Sequence, residues 1–311
     1  MRPFISICIP AYCRVQYLKR LLDSIIIQTF QDFEVIVSDD SPDSSVQDLL
    51  GNYKEKFTLK YFKNQSALGT PANWNFCISK AEGEFIKLIH DDDWFAHSKS
   101  LQIFADHTNQ NKKFIFSAYT NYFENDSKQQ QMFMPASWGK KILKEPNVLL
   151  AYNVIGPPSV TMLHKSIGLR YDERLKWRVD MEYYIRVLQE QQAFVYINQP
   201  LINVGISASQ VTQSCLYNPS VELPEGYILL EKHGINSLKN IWVYDAWWRL
   251  LRNMHIRNEK ELRSYKDERW PHIIIKMLKH LNKVPDKLLQ QGVISKTAMS
   301  ISYLFNQPKN W

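Results

Sequence analysis

The 311-residue sequence has only four cysteines, Cys8, Cys13, Cys77 and Cys215, and no Cys-x-x-Cys pair. That excludes the common zinc-finger and dithiol redox patterns, and the apolar or mixed neighbourhoods favour reduced, structural thiols over a disulfide framework. Long apolar runs are missing too. No stretch reaches the roughly 18 uninterrupted apolar residues that a membrane span needs. The opening Met-Arg-Pro-Phe-Ile-Ser-Ile-Cys-Ile-Pro is too short a run for a signal-peptide core and its cleavage site. The expectation is therefore a cytoplasmic chain. There is no internal repeat, no low-complexity segment and no RNA-binding motif. A sequence pI near 9.0 is all that favours a nucleic-acid partner. The acidic clusters described below would repel a phosphate backbone, so no nucleic acid is expected.

Hydrophobic residues make up 45% of the chain, enough for the packed core of one large domain or of a medium domain with an appendage. The net charge of +7 is unevenly spread. From Val221 to the end there are 15 Lys+Arg against 9 Asp+Glu, a balance of +6 that leaves +1 for the first 220 residues. The same tail holds five of the nine tryptophans, Trp242, Trp247, Trp248, Trp270 and Trp311. Basic residues mixed with aromatics suit peripheral contact with the inner face of the plasma membrane. An amphipathic bundle packed on the rest of the chain, or a homodimer through this C-terminal region, would have the same composition.

Periodicity orders the first hundred residues. Phe4 to Ile9 reads as a strand halted at Pro10, and Leu18, Leu21, Leu22, Ile25 and Ile26 recur at helical spacing within Val15 to Thr29. A second strand, Phe33 to Ser38, runs into Asp39-Asp40-Ser41-Pro42. A helix from Ser45 to about Tyr53, a strand from Thr58 to Phe62, a turn-rich loop from Asn64 to Pro71 and a helix from Ala72 to Ala81 follow. Then comes the apolar strand Glu84 to His90. Such alternation implies parallel pairing through right-handed crossovers, with the carboxyl ends of the strands along one edge of the sheet. Pro10-Ala-Tyr-Cys-Arg14, Asp39-Asp40-Ser41 and Asp91-Asp92-Asp93 should then share the edge where ligands of such sheets bind.

Farther on, Phe114 to Tyr122 and Ser159 to His164 read as strands, Gln131 to Gly139 as a loop and Val148 to Asn153 as the end of a short helix. Arg178 to Gln191 reads as a helix with Met181, Tyr184, Ile185 and Leu188 on its apolar face. From Leu223 onward the character is helical, over Leu238 to Met254, Arg269 to Leu281 and Val293 to Phe305. The composition shift near Asn218-Pro219 puts the expected domains at 1–218 and 219–311.

The triplet Asp91-Asp92-Asp93 is the sharpest chemical feature. Like charges packed at a strand's carboxyl end are costly unless a cation neutralises them, which points to a divalent metal carrying phosphates. A solvated acidic turn after a strand would be spelled the same way.

These residues, taken with their neighbours, resemble the inverting family 2 glycosyltransferases of the GT-A fold. The likeness runs through Ser6-Ile-Cys-Ile-Pro-Ala-Tyr-Cys-Arg14, Leu18 to Leu22, Ser24-Ile25 with Gln28-Thr29, and Phe33-Glu-Val-Ile-Val-Ser-Asp-Asp40. It continues through Asn64, Gly69, Asn75, Ala81-Glu-Gly83 and His90-Asp-Asp-Asp-Trp94, and more weakly through Gly156 to Thr161 and Val179-Asp-Met-Glu182. It covers about the first two thirds of the chain and not the helical tail. The fold it implies is α/β, a Rossmann-like, mostly parallel sheet flanked by helices, followed here by a C-terminal helical region.

The resemblance also implies roles. Pro10, Ala11, Tyr12 and Arg14 would cradle the base and ribose of a nucleotide-sugar donor. Asp39 or Asp40 would accept the N3-H of a uracil, since an acceptor-only carboxylate recognises that donor. Asn64, Gly69, Asn75 and Asp91 would complete the nucleotide site. From the residues alone, Pro10 and Tyr12 read equally as a strand stop and a packing aromatic, and Asp39 or Asp40 as a cap on the next helix.

Asp92 stands at the metal position, Asp91 and Asp93 beside it, and His90 where the family's first aspartate often stands. Mn²⁺ or Mg²⁺ would be the cofactor, with His90 as a ligand or as a hydrogen-bonded bystander. Asp180 matches the aspartate of an E-D-x-E-like helix start, as the base that takes the acceptor's proton, with Glu182 as its substitute and Trp177 upstream to stack on a sugar. First-turn acidic residues of helices are also favoured by the macrodipole alone. The family's arginine and histidine near the end of this region are Gly205 and Ser207 here, so a tail Lys or Arg would supply the contact or phosphate would bind more weakly.

The implied activity is metal-dependent, inverting transfer of a hexose or N-acetylhexosamine from a nucleotide sugar, most simply UDP-linked. Its acceptor would be a hydroxyl of a glycan or lipid-linked oligosaccharide in surface-polysaccharide synthesis. A catalytically silent nucleotide- or glycan-binding module of the same fold is the alternative.

Overall fold

The computed structural model describes residues 2–110, 112–125, 128–207 and 214–306. The first elements are β1 (Ile5–Ala11), α1 (Val15–Ile26), β2 (Phe33–Asp39), α2 (Ser45–Leu50), β3 (Thr58–Lys63), α3 (Ala72–Ser79) and β4 (Phe85–Leu88). β1 lies between β2 and β4 and parallel to both, and β3 extends the parallel set beyond β2. Every residue of β1, β2 and β4 is buried, which is why they spell near-continuous apolar runs instead of alternating ones.

Pro10 does not stop β1 at Ile9. The ladder with β2 continues to Pro10 opposite Ser38 and Ala11 opposite Asp39, while the ladder with β4 ends at Cys8 opposite Leu88. Cys8 O accepts from Ile89 N on the β4 side, so two residues on, Pro10 turns its missing N–H toward the flank where the ladder with β4 has ended.

Beyond β4 the sheet is mixed. β5 (Trp94–Phe95), α4 (Ser100–Asp106), β6 (Phe114–Phe123), β7 (Gln129–Met132), α5 (Trp138–Lys144), β8 (Thr161–His164), α6 (Val179–Gln191) and β9 (Val195–Ile206) follow. The order among the described residues is β3-β2-β1-β4-β8-β6-β9-β5, with β7 on β6. β8 runs antiparallel to β4 and β6, and β5 antiparallel to β9, whereas β6 and β9 are parallel. Other local readings differ from the sequence expectation too. Gln129–Met132 is an edge strand although Gln-Gln-Gln-Met has no apolar alternation, and Ser159 and Val160 lie in a 3-10 turn, Pro158–Val160, that precedes β8.

The chain forms two compact units. The first comprises Met1–Lys144, Val154–Glu173 and Tyr183–Gln210; the second comprises Glu145–Asn153, Arg174–Glu182 and Val211–Trp311. The first holds the sheet. The second holds the first turn of α6 and the helices α7 (Pro219–His233), α8 (Ile241–Asn253), α9 (Glu259–Tyr265), α10 (His272–Leu281), α11 (Asp286–Leu289) and α12 (Gly292–Asn306). α7 starts on Pro219, with the Asn218 side chain accepting from Ser220 N at 3.1 Å. The second unit's core is aromatic. Trp247, Trp248 and Trp270 are buried, and Trp247 meets Trp270 edge to face at 6.3 Å. These tryptophans are therefore core residues, not an exposed interfacial belt, while Trp311 lies outside the described residues.

Candidate active site

Parallel pairing brings the carboxyl ends of β1, β2 and β4 together, and hydrogen bonds tie their loops. Asp40 N donates to Ala11 O at 3.0 Å, and Cys13 N donates to Ser41 Oγ at 2.8 Å. Cys13 takes a left-handed backbone, φ 57°, so the chain turns sharply between Tyr12, which is exposed, and Arg14. Arg14 then reaches across to the acidic turn. Its Nη1 donates to Asp92 at 2.8 Å, and its Nη2 pairs with Asp91.

Asp91, Asp92 and Asp93 are all buried, so this is not a solvated acidic turn. Burial, opposed by Arg14 and reinforced by Asp92, pushes the Asp91 carboxyl up to about 7. Burial and then Asp92 hold Asp93 well above its ordinary value, although Gly205 N donates to Asp93 Oδ1 at 3.1 Å. Burial also drives His90 down to about 4. Each group is thus held toward its neutral form, because removing water penalises charge before any partner repays it.

Ligand atoms of His90, Asp92 and Asp93 lie within 4.8 Å of one another. His90 Nε2 is buried without a hydrogen-bond partner among the described residues, and its ring leans on Trp74 at 4.6 Å between centroids. A buried ring nitrogen left unpaired beside two carboxylates is the donor set of an N,O-coordinated divalent cation, so these residues fit Mn²⁺ or Mg²⁺. Geometry brings in His90 where the sequence favoured Asp91, which is turned instead to Arg14.

Beneath the turn, Lys87 is buried in the middle of β4. Its ammonium donates to the carbonyls of Ser159 and Thr161, and burial brings it down to about 7. Ser159 is shared: its Oγ accepts from His90 N at 2.9 Å and also bonds Asp93.

The β2 carboxylates do not cap α2, which begins at Ser45, where Asp43 accepts the Ser45 N–H at 3.1 Å. Asp39 already accepts from Ser41 N, Tyr61 Oη and Lys63 Nζ at 2.8, 2.8 and 2.9 Å. Asp40 accepts from Asn64 Nδ2 at 2.7 Å and Gly69 N at 2.9 Å, which leaves it more free lone pairs. Gly69 holds this loop at φ 74°, a conformation costly for other residues. Asn75 belongs to a different role. Its amide exchanges bonds with the Tyr171 backbone, both at 2.9 Å, and donates to Glu173, so it is a buried tie within the first unit.

Arg20 was not marked by its letters alone. Its Nη2 donates to Asp92 O at 2.9 Å, and its guanidinium lies over the Trp94 ring at 3.7 Å and the Tyr17 ring at 5.2 Å. The spacing of Arg14, just ahead of α1, with Tyr17 and Arg20 on it was the available signal. A Cβ at Gly205 would meet Asp92 O at 2.5 Å and Arg20 Nη2 at 3.2 Å. The glycine is therefore required sterically, and arginine is brought to this turn from α1. Ser207 is described, but 208–212, the rest of the segment read from Asn203, lies outside the described residues.

Asp180 and Glu182 belong to the second unit and differ sharply. Asp180 accepts from Asn153 Nδ2 at 2.9 Å and Met181 N at 2.8 Å, and burial, with a contribution from Glu225, raises it to about 6. Glu182 is fully buried and paired with Lys232 at 2.6 Å. Trp177 is half-buried, and its N–H donates to Glu225, which also accepts from Lys176 N and Arg178 N ahead of α6. A carboxylate on unpaired N–H groups before a helix is a favourable cap.

Known proteins agree with this architecture. An uncharacterized glycosyltransferase of Rickettsia typhi is 25% identical over 221 residues, covering 69% of this chain and 67% of the relative. The GalNAc(5)-diNAcBac-PP-undecaprenol beta-1,3-glucosyltransferase of Campylobacter jejuni is 36% identical over 93 residues, 29% of this chain and 30% of that one. Among solved structures, S. aureus TarS 1-349 with UDP-GlcNAc superposes with a TM-score of 0.61 at 17% identity, covering 98% of this chain and 90% of that chain. The mannosyltransferase PcManGT of Pyrobaculum calidifontis, with GDP-Man and Mn2+, gives 0.55 at 11% identity, covering 99% and 86%. Residues 6–167, just over half of the chain, match Glycosyl transferase family 2, and with the mixed sheet and its ligand edge this shows the chain to be a glycosyltransferase of that family.

Proposed function

We propose that this enzyme transfers a sugar from a UDP-sugar, with Mn²⁺ or Mg²⁺, to a hydroxyl of a glycan or lipid-linked oligosaccharide, with inversion at the anomeric carbon. The observation that carries the proposal is the convergence of His90, Asp92 and Asp93 around a ring nitrogen that has no hydrogen-bond partner among the described residues. When bound there, the cation would supply charge neutralisation for the departing nucleoside diphosphate. Arg14 and Arg20, instead of a residue from the tail, would add positive charge beside it. Asp40, with acceptor capacity to spare, would take the uracil N3-H, and Tyr12, Ala11 and Pro10 would border the base.

Asp180 would accept the proton of the acceptor hydroxyl as that oxygen bonds to the anomeric carbon and the bond to UDP breaks. A carboxylate raised to about 6 is suited to this, being ionised at neutral pH yet more basic than an ordinary aspartate. Glu182, tied to Lys232, is poorly placed to substitute. Surface-polysaccharide synthesis is the setting this chemistry suits, consistent with the undecaprenol-linked substrate named for the Campylobacter relative.

The test is UDP release from a panel of UDP-sugars with Mn²⁺, alongside calorimetry of Mn²⁺ and UDP binding. Binding heat that depends on both, and is lost in Asp92→Asn, is the expected result. No heat with either metal, or equal heat in the variant, would overturn the reading.

A further inference from the structure

Helix α12 is inverted relative to an ordinary amphipathic helix. Its inward residues are Ser295, Met299, Ser302 and Asn306, of which only Met299 is large and apolar. The polar ones are held by hydrogen bonds. Ser295 Oγ accepts from Trp248 Nε1 at 3.1 Å and Arg252 Nη1 at 2.8 Å, Ser302 Oγ bonds Tyr244 Oη at 2.6 Å, and Asn306 Nδ2 donates to Tyr244 Oη at 2.7 Å. The outward side carries Val293, Ile301, Leu304 and Phe305 at 81, 50, 70 and 77% exposure. With Thr297 these form one stripe, at i, i+4, i+8, i+11 and i+12. Scattered apolar surface residues need no account, but a helix that hides its serines and shows its leucine and phenylalanine does.

α12 and the two helices before it, both packed against it, carry mostly positive charge. Between 272 and 306, Lys276, Lys279, Lys283, Lys287 and Lys296 are all exposed. The single carboxylate of that stretch, Asp286, is paired with Arg257. Phe305 faces the His280 ring at 6.4 Å, and burial, then Lys283 and Lys276, holds that imidazole below its ordinary value, so cations flank the Phe305 end. Leu288 on α11 is also exposed.

We propose that this face of the helical unit docks on an anionic lipid bilayer, the α12 stripe entering the interfacial region while the lysines meet headgroup phosphates. A second copy of the chain would set lysine-bearing faces against each other, which like-charge repulsion opposes. The contact is a property of this surface alone and does not depend on the donor assigned to the first unit.

The full chain is sedimented with phosphatidylcholine vesicles and with vesicles that also contain phosphatidylglycerol. Binding to the second kind only, weakened by salt, is expected. Leu304→Ser with Phe305→Ser should reduce it at least about tenfold while UDP release in solution and the thermal melt stay unchanged. Lys276→Glu with Lys283→Glu should also reduce it, which preserves the test if the first variant folds poorly. Wild-type protein left in the supernatant with anionic vesicles would overturn the proposal. So would a dimer in sedimentation velocity that the Leu304/Phe305 variant dissociates while vesicle binding is absent.

Discussion

The glutamates packed around the start of α6 and the aspartates of the acidic turn are buried alike and meet opposite fates. In the helical unit, Glu182 has Lys232, Glu222 has Arg178 at 2.7 Å, and Glu225 takes the N–H groups of Lys176, Trp177 and Arg178. In the acidic turn of the sheet unit, Asp91 and Asp93 are pushed up by burial and by each other's neighbour Asp92, alongside an imidazole nitrogen with no partner among the described residues. Satisfied carboxylates hold a fold together, whereas under-compensated ones mark where a ligand supplies the missing charge.

Breaking that contrast should be easiest at Asp92. Asp92→Asn should lower kcat/KM on the order of 10³-fold, and the thermal melt should hold or rise because the buried carboxylate that raises both Asp91 and Asp93 is gone. EDTA should reproduce the activity loss in the wild type. A variant that loses stability in step with activity would make the turn structural.

Asp180→Asn comes next, with kcat reduced about 10²–10⁴-fold and donor affinity kept, read from steady-state rates and UDP calorimetry. The sign of the pH dependence follows from its raised pKa. Below about 6 the carboxyl is protonated and cannot accept a proton, so kcat should fall on the acid side with a midpoint near that value and flatten above it. An acid limb unchanged in residual Asp180→Asn activity would assign the titration elsewhere.

Glu182→Ala should do the reverse. It should cost about 3 kcal/mol of stability in a denaturant titration, the low end for a broken buried pair, because Lys232 keeps 21% of its side chain in solvent. Activity per folded molecule should survive. Loss of turnover with unchanged stability would return Glu182 to the candidates for the base.

How far the letters foretold all this depends on how local the cause was. The parallel half, β1 to β4, was legible because fully buried strands and amphipathic α1 write their periods directly. The converging loops followed from topology. β7 was hidden, since Gln129–Met132 pairs with β6 through backbone bonds that any sequence can make. His90 reads in sequence as a ligand or as a bystander alike, because the packing of its ring against Trp74 is not written in the letters. Asn75 looked like a ligand residue because a buried amide tie to Tyr171, 96 positions away, is invisible in sequence. The tail's tryptophans suggested a surface, yet aromatic area is what a helical core buries first, and the exposed stripe of α12 was spelled by ordinary Val, Ile, Leu and Phe.

Gly205 offers the smallest and most selective perturbation. By letter it was a gap, a place where relatives carry a charge. In space its missing side chain lets β9 lie against the Asp92 carbonyl, with room for the Arg20 guanidinium. Gly205→Ala adds one methyl that meets a backbone oxygen, which cannot rotate away, so the acidic turn must shift. The expected cost is about 1–2 kcal/mol in stability, and a larger proportional loss in Mn²⁺ affinity by calorimetry, because metal ligation is less tolerant of displacement than packing is. Gly205→Ala with stability reduced but Mn²⁺ affinity intact would mean that the turn moves as a rigid piece, and that the close approach serves packing instead of the site.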